Sequence, residues 1–182
     1  RQRQMCIRDR FSTSFETKAE FSPDGTDKVE FLLTSNSKEP LKPLAKVASG
    51  GEMSRIMLAL KTIIAGSDNI PTLIFDEIDV GISGRISGMV GEKLVHTAAV
   101  HQVLCVTHSP QIAAYADAHI VVEKRDGEDG ARTSVRSLTM DERKHEIARI
   151  LGISSESESA LRHAEEMLYM CGEKKRCIRS GG

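Results

Sequence analysis

Tryptophan is absent from this sequence of 182 residues, and aromatic residues of all kinds make up only 4% of it. Because 40% of the residues are hydrophobic, a buried core is still expected, built from aliphatic side chains. An excess of charge is also lacking, since 25 Lys and Arg stand against 26 Asp and Glu, for a formal net charge of −1. Charge therefore gives no support for a nucleic-acid partner. The length suits one domain, or a large piece of one.

Cysteine is scarce, and its spacing points to no bound group. The four cysteines form neither a CxxC pair nor a CxxC…HxxxH pattern. Nothing in this spacing suggests a disulfide framework, so a reducing cytoplasm is the expected location. Cys105 lies in an apolar run and is expected to be a small buried hydrophobic residue. No apolar run reaches the ~18 residues that a membrane span needs, and no signal peptide is visible.

The two ends of the sequence differ in composition from what lies between them. Residues 1–10 (RQRQMCIRDR) do not resemble a folded element, and residues 174–182 (KKRCIRSGG) are similar in kind. We interpret residues 1–10 and 171–182 as disordered or non-native flanks of one domain over 11–170. Because both ends are basic, a tail that binds nucleic acid is the alternative.

The residues between these flanks begin with a β-hairpin and continue as an α/β unit. Residues 11–20 and 28–35 alternate as strands do, and Ser22-Pro23-Asp24-Gly25 between them is a turn signature. Helical spacing and short apolar runs then predict a helix over 53–65, a strand over 72–75, a helix over 83–100, a strand over 102–107, a short helix over 110–116 and a strand over 120–122. This order indicates a parallel sheet flanked by helices, and the 72–75 strand is apolar on both faces, as a central strand is.

The last part of the chain is predicted to form one more strand and two helices. A turn at 126–130 leads into a strand over 132–138, and a helix starts near Met140. Thr139 and Glu142 fit a capping box for that helix, as Ser49 and Glu52 do for the helix over 53–65. A final helix is predicted over 157–170.

Three groups of polar residues lie where these elements begin or end. Asp76 and Glu77 end a strand at the edge where open α/β sheets place their ligands, and such carboxylates can hold magnesium through water and activate a water molecule. Ser49-Gly50-Gly51 opens a helix, where two glycines let a phosphate approach the backbone N–H groups. His108 directly follows a strand and can bind a terminal phosphate or a water molecule. Taken singly, each has a plainer explanation: a solvated strand end, a flexible loop with a capped helix, and a structural histidine.

Together these motifs are far more specific than they are singly. In order, the chain reads ASGGEMSRIMLALK, TLIFDEIDVGISG and VLCVTHSPQIAAYAD, each in the structural context that its chemistry needs. This series resembles the C-terminal lobe of an ABC-type P-loop ATPase head. By that resemblance Ala48–Glu52 is the signature motif, Leu73–Glu77 is Walker B, Val80–Ser83, led by Asp79, is the D-loop, and His108 is the switch histidine.

Details within these motifs favour the SMC-like branch and, inside it, the RecN family of bacterial DNA repair proteins. Ile78-Asp79 follows Walker B, where a transporter ATPase typically has Pro-Thr. Val80-Gly81-Ile82-Ser83-Gly84 also resembles RecN, since SMC proteins usually carry Asp near the position of Ser83. Leu41-Lys42-Pro43-Leu44 and Thr107-His108-Ser109-Pro110-Gln111 point the same way. The resemblance covers residues 11–168.

The resemblance implies a cytoplasmic, nucleoid-associated ATPase of double-strand-break repair that binds DNA as a full protein. ATP and magnesium would lie between two heads of a homodimer, which close on ATP binding and open on hydrolysis. By the same resemblance, Asp76 helps to hold magnesium through water, Glu77 is the general base, and His108 contacts the γ-phosphate side. Asp79 would couple the two sites across the dimer, and the γ-phosphate held by the partner head would be bound by Ser49, Gly50 and Gly51.

One part of such an ATP site is missing from this sequence. No GxxxxGK(S/T) occurs, so no P-loop is present to cradle the β- and γ-phosphates, and no sustained heptad marks a coiled coil. In the family that the chain resembles, Walker A lies in an N-terminal lobe beyond a long coiled coil. We therefore expect this chain to be the C-terminal half of a head, to need the Walker A lobe of the same protein, and to be inactive alone.

Other functions fit parts of the pattern. Another SMC-like ATPase is disfavoured by the D-loop sequence, and a transporter ATPase subunit is disfavoured by the run Asp76-Glu77-Ile78-Asp79. A non-catalytic dimerisation module of ABC fold would have no use for an intact Walker B and switch histidine. A metal site is disfavoured because no ligand spacing matches the three histidines considered for it, His96, His101 and His119.

Overall fold

The computed structural model describes residues 10–23, 25–34, 39–46, 49–64, 69–127, 130–152 and 157–181. The chain forms two units, residues 1–49 and residues 50–182. Within the described ranges, every helix is too short or too polar to cross a lipid bilayer. The flank expected over 1–10 lies outside the described residues except for Arg10, which begins the first strand.

The first unit contains the β-hairpin that the sequence predicts. Strands β1 (Arg10–Ser22) and β2 (Gly25–Thr34) pair antiparallel, and the short β3 (Lys42–Pro43) pairs with β2. Gly25 has a φ of +98°, a conformation that glycine adopts without strain and that closes the turn. Phe11 and Phe31 contact each other across the strands with ring centroids 5.5 Å apart. The turn residue Asp24 lies outside the described residues.

The second unit opens with the α/β part of the fold. Helix α1 (Gly50–Ile64) precedes strand β4 (Thr72–Phe75), helix α2 (Gly84–Thr97), strand β5 (Gln102–Cys105) and the short helix α3 (Pro110–Ala113). Strands β4 and β5 pair in parallel, with Thr72 opposite Gln102 and Phe75 opposite Cys105. The side chains between this sheet and the helices form one core cluster of Leu58, Leu73, Phe75, Ile78, Val90, Leu94 and Ile112.

Among the described residues of the second unit, the helices cover one face of the β4–β5 sheet and leave the other exposed. On β4, Leu73 and Phe75 are buried under the helices, whereas Ile74 between them is 70% exposed. Leu104 on β5 and Val106 just after it are 44% and 61% exposed. The sequence predicts that β4 is a central strand, because both of its faces are apolar. In the structure, the described residues bury one of these faces.

The strand expected over 120–122 is not part of the parallel sheet. Strand β6 (Ile120–Gly127) pairs antiparallel with β7 (Gly130–Ser137), with Ile120 opposite Ser137 and Gly127 opposite Gly130. The two strands are joined by residues 128–129, a connection short enough for a hairpin but far too short for a parallel crossover. The prediction of a third parallel strand at this position was therefore wrong, while the predicted return strand over 132–138 was right.

The last two helices form the second core cluster of this unit. Helix α4 (Met140–Ile150) starts at the predicted capping box, in which the Thr139 hydroxyl accepts from the Glu142 N–H and the Glu142 carboxylate accepts from the Thr139 N–H. Helix α5 spans Glu158–Ser180. The members of this cluster come from α2, from α3 and the two residues after it, and from α4 and α5: Val95, Ala113, Ala114, Tyr115, Ile147, Ala148, Ala160, Ala164 and Cys171.

Helix α5 does not end at Met170, as the sequence analysis predicts. Its last turns continue to Ser180, so the disordered tail expected over 171–182 is corrected for the described residues up to 181. Three ion pairs fix this part of the helix: Lys174 pairs with Glu92 of α2 at 2.6 Å, and Lys175 and Arg179 pair with Asp117 at 3.0 Å and 2.7 Å. Whether residues 171–182 are native stays a separate prediction that their conformation does not test.

Candidate active site

The two parallel strands deliver the predicted Walker B carboxylates and the predicted switch histidine to the same edge of the sheet. Phe75 and Cys105 are register partners, and the Val106 N–H donates to the Phe75 carbonyl at 2.9 Å, so both strands end together. Asp76 and Glu77 follow β4 directly, and His108 lies three residues beyond β5. This is the carboxyl edge, where open α/β sheets bind their ligands.

The two carboxylates are exposed to solvent at this edge. The Glu77 N–H donates to Asp76 Oδ1 at 2.9 Å, and the Asp76 carbonyl accepts from the Ser54 hydroxyl of α1 at 2.8 Å. Glu77 has a φ of +56°, the one non-glycine residue with positive φ among the described residues. Such a conformation costs on the order of 1–2 kcal/mol in an L-residue, and residues held in it cluster at functional sites.

The amino end of α1 lies directly against the loop that carries Glu77. A Cβ placed on Gly51 would stand 2.8 Å from the Glu77 carbonyl oxygen and 3.2 Å from the Val80 carbonyl oxygen. A Cβ placed on Gly50 would stand 2.6 Å from Glu77 Oε2. The two glycines of the predicted signature motif therefore allow a close approach of helix and loop that larger residues would prevent. Ser49 precedes them as the last residue of the first unit, and Ala48 lies outside the described residues.

Arg55 of α1 forms hydrogen bonds with the loop that carries Glu77. Its guanidinium donates to the Ile78 carbonyl at 3.2 Å and to the Val80 carbonyl at 2.9 Å. Sequence reasoning missed both Arg55 and Ser54, because polar residues within a helix are usually solvated. The available signal was their position: Arg55 lies four residues after Gly51, and residues four apart share one face of a helix.

Asp79 is buried, and its carboxylate lies among the residues that follow β5. Its Oδ2 accepts from the Thr107 hydroxyl, from the His108 N–H at 2.9 Å and from the Ser109 N–H at 2.9 Å. Burial opposes the charge, but these hydrogen bonds outweigh it and hold the pKa of Asp79 below its usual value. The role that the sequence analysis expects for Asp79 across a dimer stays a prediction, and in this structure only 2% of the side chain is exposed.

His108 presents most of its imidazole ring to solvent. The side chain is 78% exposed, and its Nδ1 lies 3.4 Å from Asp79 Oδ2. The next residue, Ser109, caps α3 by accepting from the Ile112 N–H. Cys105, at the end of β5, is partly buried, and burial raises the pKa of its thiol to about 12. A thiol that stays neutral is unreactive, as expected for a residue with a packing role.

The carboxylates fit a magnesium ion held largely by other ligands. No three His, Cys, Asp or Glu side chains gather into a metal cluster within the described ranges. Magnesium commonly keeps several waters and binds through one or two carboxylates together with substrate phosphates, which suits the exposed Asp76. Nor do His96, His101 and His119, the histidines considered for a metal site, form such a cluster within those ranges.

We expect Gly51→Ala to destabilise the chain more than Gly50→Ala. The Gly51 methyl group would meet backbone oxygens, which must move, whereas the Gly50 methyl group would meet the end of a flexible Glu77 side chain. Overpacking of this kind costs about 1–3 kcal/mol, while the Gly50 variant should stay within about 0.5 kcal/mol of the parent. Urea unfolding of the three proteins measures the difference. Equal stabilities would show that the helix and the Glu77 loop are not held as closely as described.

Three comparisons relate the chain to known proteins. It is 46% identical over 159 residues to the DNA repair protein RecN of Halalkalibacterium halodurans, which covers 87% of the chain and 28% of that relative. It is 44% identical over 173 residues to RecN of Treponema pallidum, covering 95% of the chain and 30% of the relative. RecN of Bacillus subtilis is 40% identical, with 86% of the chain and 27% of the relative covered. The chain thus spans less than a third of the length of these curated relatives.

Solved structures agree on the fold. The Smc head domain with a coiled coil and joint from Pyrococcus yayanosii matches with a TM-score of 0.57 and 23% identity, over 80% of this chain and 26% of that one. The Smc head domain with an extended coiled coil from Pyrococcus furiosus matches with a TM-score of 0.53 and 23% identity, over 74% and 32% of the two chains. No family model matches the chain. The expected α/β fold of an SMC-type head, with a parallel sheet, helices and an N-terminal hairpin, is confirmed.

Proposed function

The chain belongs to the RecN family as a segment of it, and on that premise we propose that it is the C-terminal half of an ATP-hydrolysing head in a DNA double-strand-break repair protein. It would supply the signature motif, Walker B and the switch histidine. The P-loop would come from the Walker A lobe of the same protein, because no such motif occurs in this sequence. Work on DNA in the bacterial cytoplasm, at the nucleoid, would belong to the whole protein.

The observation that carries this proposal is the meeting of Asp76, Glu77 and His108 at one sheet edge. Their strands are register partners, and all three side chains are exposed to solvent. Phosphoryl transfer needs little covalent help from a protein, but it needs the metal, the attacking water and the γ-phosphate held in one place. Two carboxylates and an imidazole at a common edge suit that requirement, and a module that only dimerises would not need them.

Each residue then has a distinct role when ATP and magnesium are bound. Asp76 would hold magnesium through water, and the metal would neutralise charge on the phosphate oxygens. Glu77 would orient the attacking water and accept its proton, and His108 would lie on the γ-phosphate side and hydrogen-bond the attacking water. Ser49, Gly50 and Gly51 would bind the γ-phosphate held by a second head, where the backbone N–H groups at the start of α1 favour an anion.

The exposed face of the β4–β5 sheet supports the proposal that a Walker A lobe packs against this chain. Ile74, Leu104 and Val106 place apolar side chains on that face, although parallel sheets are buried on both faces in α/β proteins. The Walker A lobe of the same protein would cover this face and complete the ATP site. Two completed heads would then form a homodimer around ATP, which would close on binding and open on hydrolysis.

Reconstitution tests the proposed function. ATP hydrolysis should be negligible for this chain alone and for a Walker A lobe from a RecN protein alone, because each lacks half of the catalytic groups. The mixture should hydrolyse ATP, with release of phosphate as the measurement. A Walker A lobe whose P-loop Lys is replaced by Ala is the matched control, since it leaves the assembly intact but cannot cradle the phosphates.

Two outcomes would contradict the proposal. Turnover by this chain alone would mean that the phosphates are held without a P-loop. A stable complex of the two lobes, shown by gel filtration, that hydrolyses no ATP would instead favour a non-catalytic module that keeps only the ABC fold.

A further inference from the structure

The loop that carries His108 has no regular structure of its own. Residues 106–109 connect β5 to α3 without belonging to either. Since 78% of the His108 side chain is exposed, packing does not fix its ring. Something else must hold the imidazole if it is to meet a γ-phosphate in a defined orientation, because a displacement of 1 Å can lower a rate by on the order of 10²-fold.

One carboxylate oxygen accepts hydrogen bonds from three successive residues of this loop. Asp79 Oδ2 accepts hydrogen bonds from the hydroxyl of Thr107 and from the backbone N–H groups of His108 and Ser109. Hydrogen bonds to an ionised acceptor are roughly twice as strong as neutral ones. The same oxygen lies 3.4 Å from His108 Nδ1, so the ring turns that nitrogen toward the carboxylate and leaves Nε2 for a ligand.

The backbone around Asp79 is anchored in turn to helix α1, next to Walker B. Asp79 follows Glu77 by two residues, and the carbonyl groups on either side of it, those of Ile78 and Val80, both accept from Arg55 of α1. The carboxylate therefore joins two segments: the loop that carries Glu77, anchored to α1, and the loop that carries His108. Two groups that act on one phosphate need such a fixed relation to each other.

From this geometry we infer that Asp79 is a positioning residue for His108 within its own chain. Its carboxylate fixes the backbone conformation of residues 107–109. It also favours the tautomer of the neutral His108 ring that carries the proton on Nδ1. This inference rests on the proposed function in one respect, since His108 must act on ATP for the positioning to affect turnover.

A double-variant experiment on the reconstituted ATPase separates positioning from general support of the fold. Asp79→Asn keeps the shape of the side chain but removes its charge. We expect kcat to fall by up to about 10²-fold, because a displacement of about 1 Å at a reacting group can cost that much, and we expect KM for ATP to change little. In the double variant with His108→Ala, the loss should equal that of His108→Ala alone. Losses that multiply would overturn the inference, because Asp79 would then act by another route.

Asp141→Asn, at an exposed ion pair on α4, is the control that should leave kcat unchanged.

A second measurement needs no ATPase activity. Imidazole nitrogen NMR shifts of this chain should show the proton of the neutral His108 ring on Nδ1, and Asp79→Asn should move the population toward Nε2. His163, exposed on α5, provides the reference ring that should not change. An Nδ1 population that the variant leaves unchanged would overturn the inference even if the mixture hydrolyses ATP. If the mixture is inactive while the tautomer shifts as expected, the proposed function fails and the positioning of His108 stands.

Discussion

Replacing Glu77 by Gln should nearly abolish ATP hydrolysis by the reconstituted head while leaving ATP binding intact. The substitution keeps the size of the side chain but removes its ability to accept a proton from water. General-base catalysis contributes about 10²- to 10⁴-fold to a rate, so kcat should fall by that factor. Because Glu77 is exposed, and Gln is no more strained than Glu at a φ of +56°, the stability of the chain should hardly change. Phosphate release gives kcat, and equilibrium titration with a fluorescent ATP analogue gives the affinity.

The matched control for this variant is Glu166→Gln. Glu166 is exposed on α5, far along the chain from the sheet edge, and the same chemical change there should leave kcat unaffected. If the heads open on hydrolysis, Glu77→Gln should also lengthen the lifetime of the ATP-bound dimer, which gel filtration detects. Unchanged turnover in Glu77→Gln would mean that another group activates the water, and the assignment of Glu77 as the general base would fall.

Residues that directly follow apolar strands were the most predictable part of the candidate site. Asp76 and Glu77 end β4, and His108 follows β5, so the alternation of strands and helices alone places them at one edge. The hairpin at the start of the chain was equally clear, because its turn signature lies between two alternating segments. In each case a local pattern carries the information, and no long-range contact is needed to infer the result.

Side-chain direction could not be inferred in the same way. Asp79 lies between hydrophobic neighbours in a loop, and the sequence does not reveal that its carboxylate turns inward to the backbone of residues 107–109. Arg55 and Ser54 are ordinary polar residues on an amphipathic helix until the loop after β4 is seen to pass over them. These contacts join segments more than twenty residues apart, and periodicity within one element carries no record of them.

Tertiary contacts also decided the two elements that were predicted wrongly. Ile120-Val121-Val122 is as apolar as a central parallel strand, but it opens β6, and the two residues between β6 and β7 are enough only for an antiparallel pair. The basic residues beyond Met170 looked like a solvated tail, yet Lys174 and Arg179 form ion pairs with carboxylates distant in the sequence. In both places the composition of the segment predicted a different structure from the one that its contacts with other segments produce.

The second large effect is expected at the exposed face of the β4–β5 sheet. Ile74→Lys should leave the chain folded, since a side chain that is 70% exposed contributes little to its own core. Association with the Walker A lobe should nevertheless weaken by at least about 2 kcal/mol, or roughly 30-fold in Kd, because assembly would bury an unpaired ammonium group against an apolar face. Isothermal titration of the two lobes measures Kd, and ATP hydrolysis by the mixture should fall in parallel at limiting concentrations.

Ile63→Lys is the control that makes this result interpretable. Ile63 lies on α1 and is 79% exposed, so the same change in charge and size is made at a site outside the sheet. Loss of association in Ile74→Lys with retention in Ile63→Lys would locate the interface on the sheet face itself. If both variants bind the Walker A lobe as tightly as the parent, the face is not the site of assembly. The head would then have to be completed through another surface, and the exposure of Ile74, Leu104 and Val106 would need a different partner.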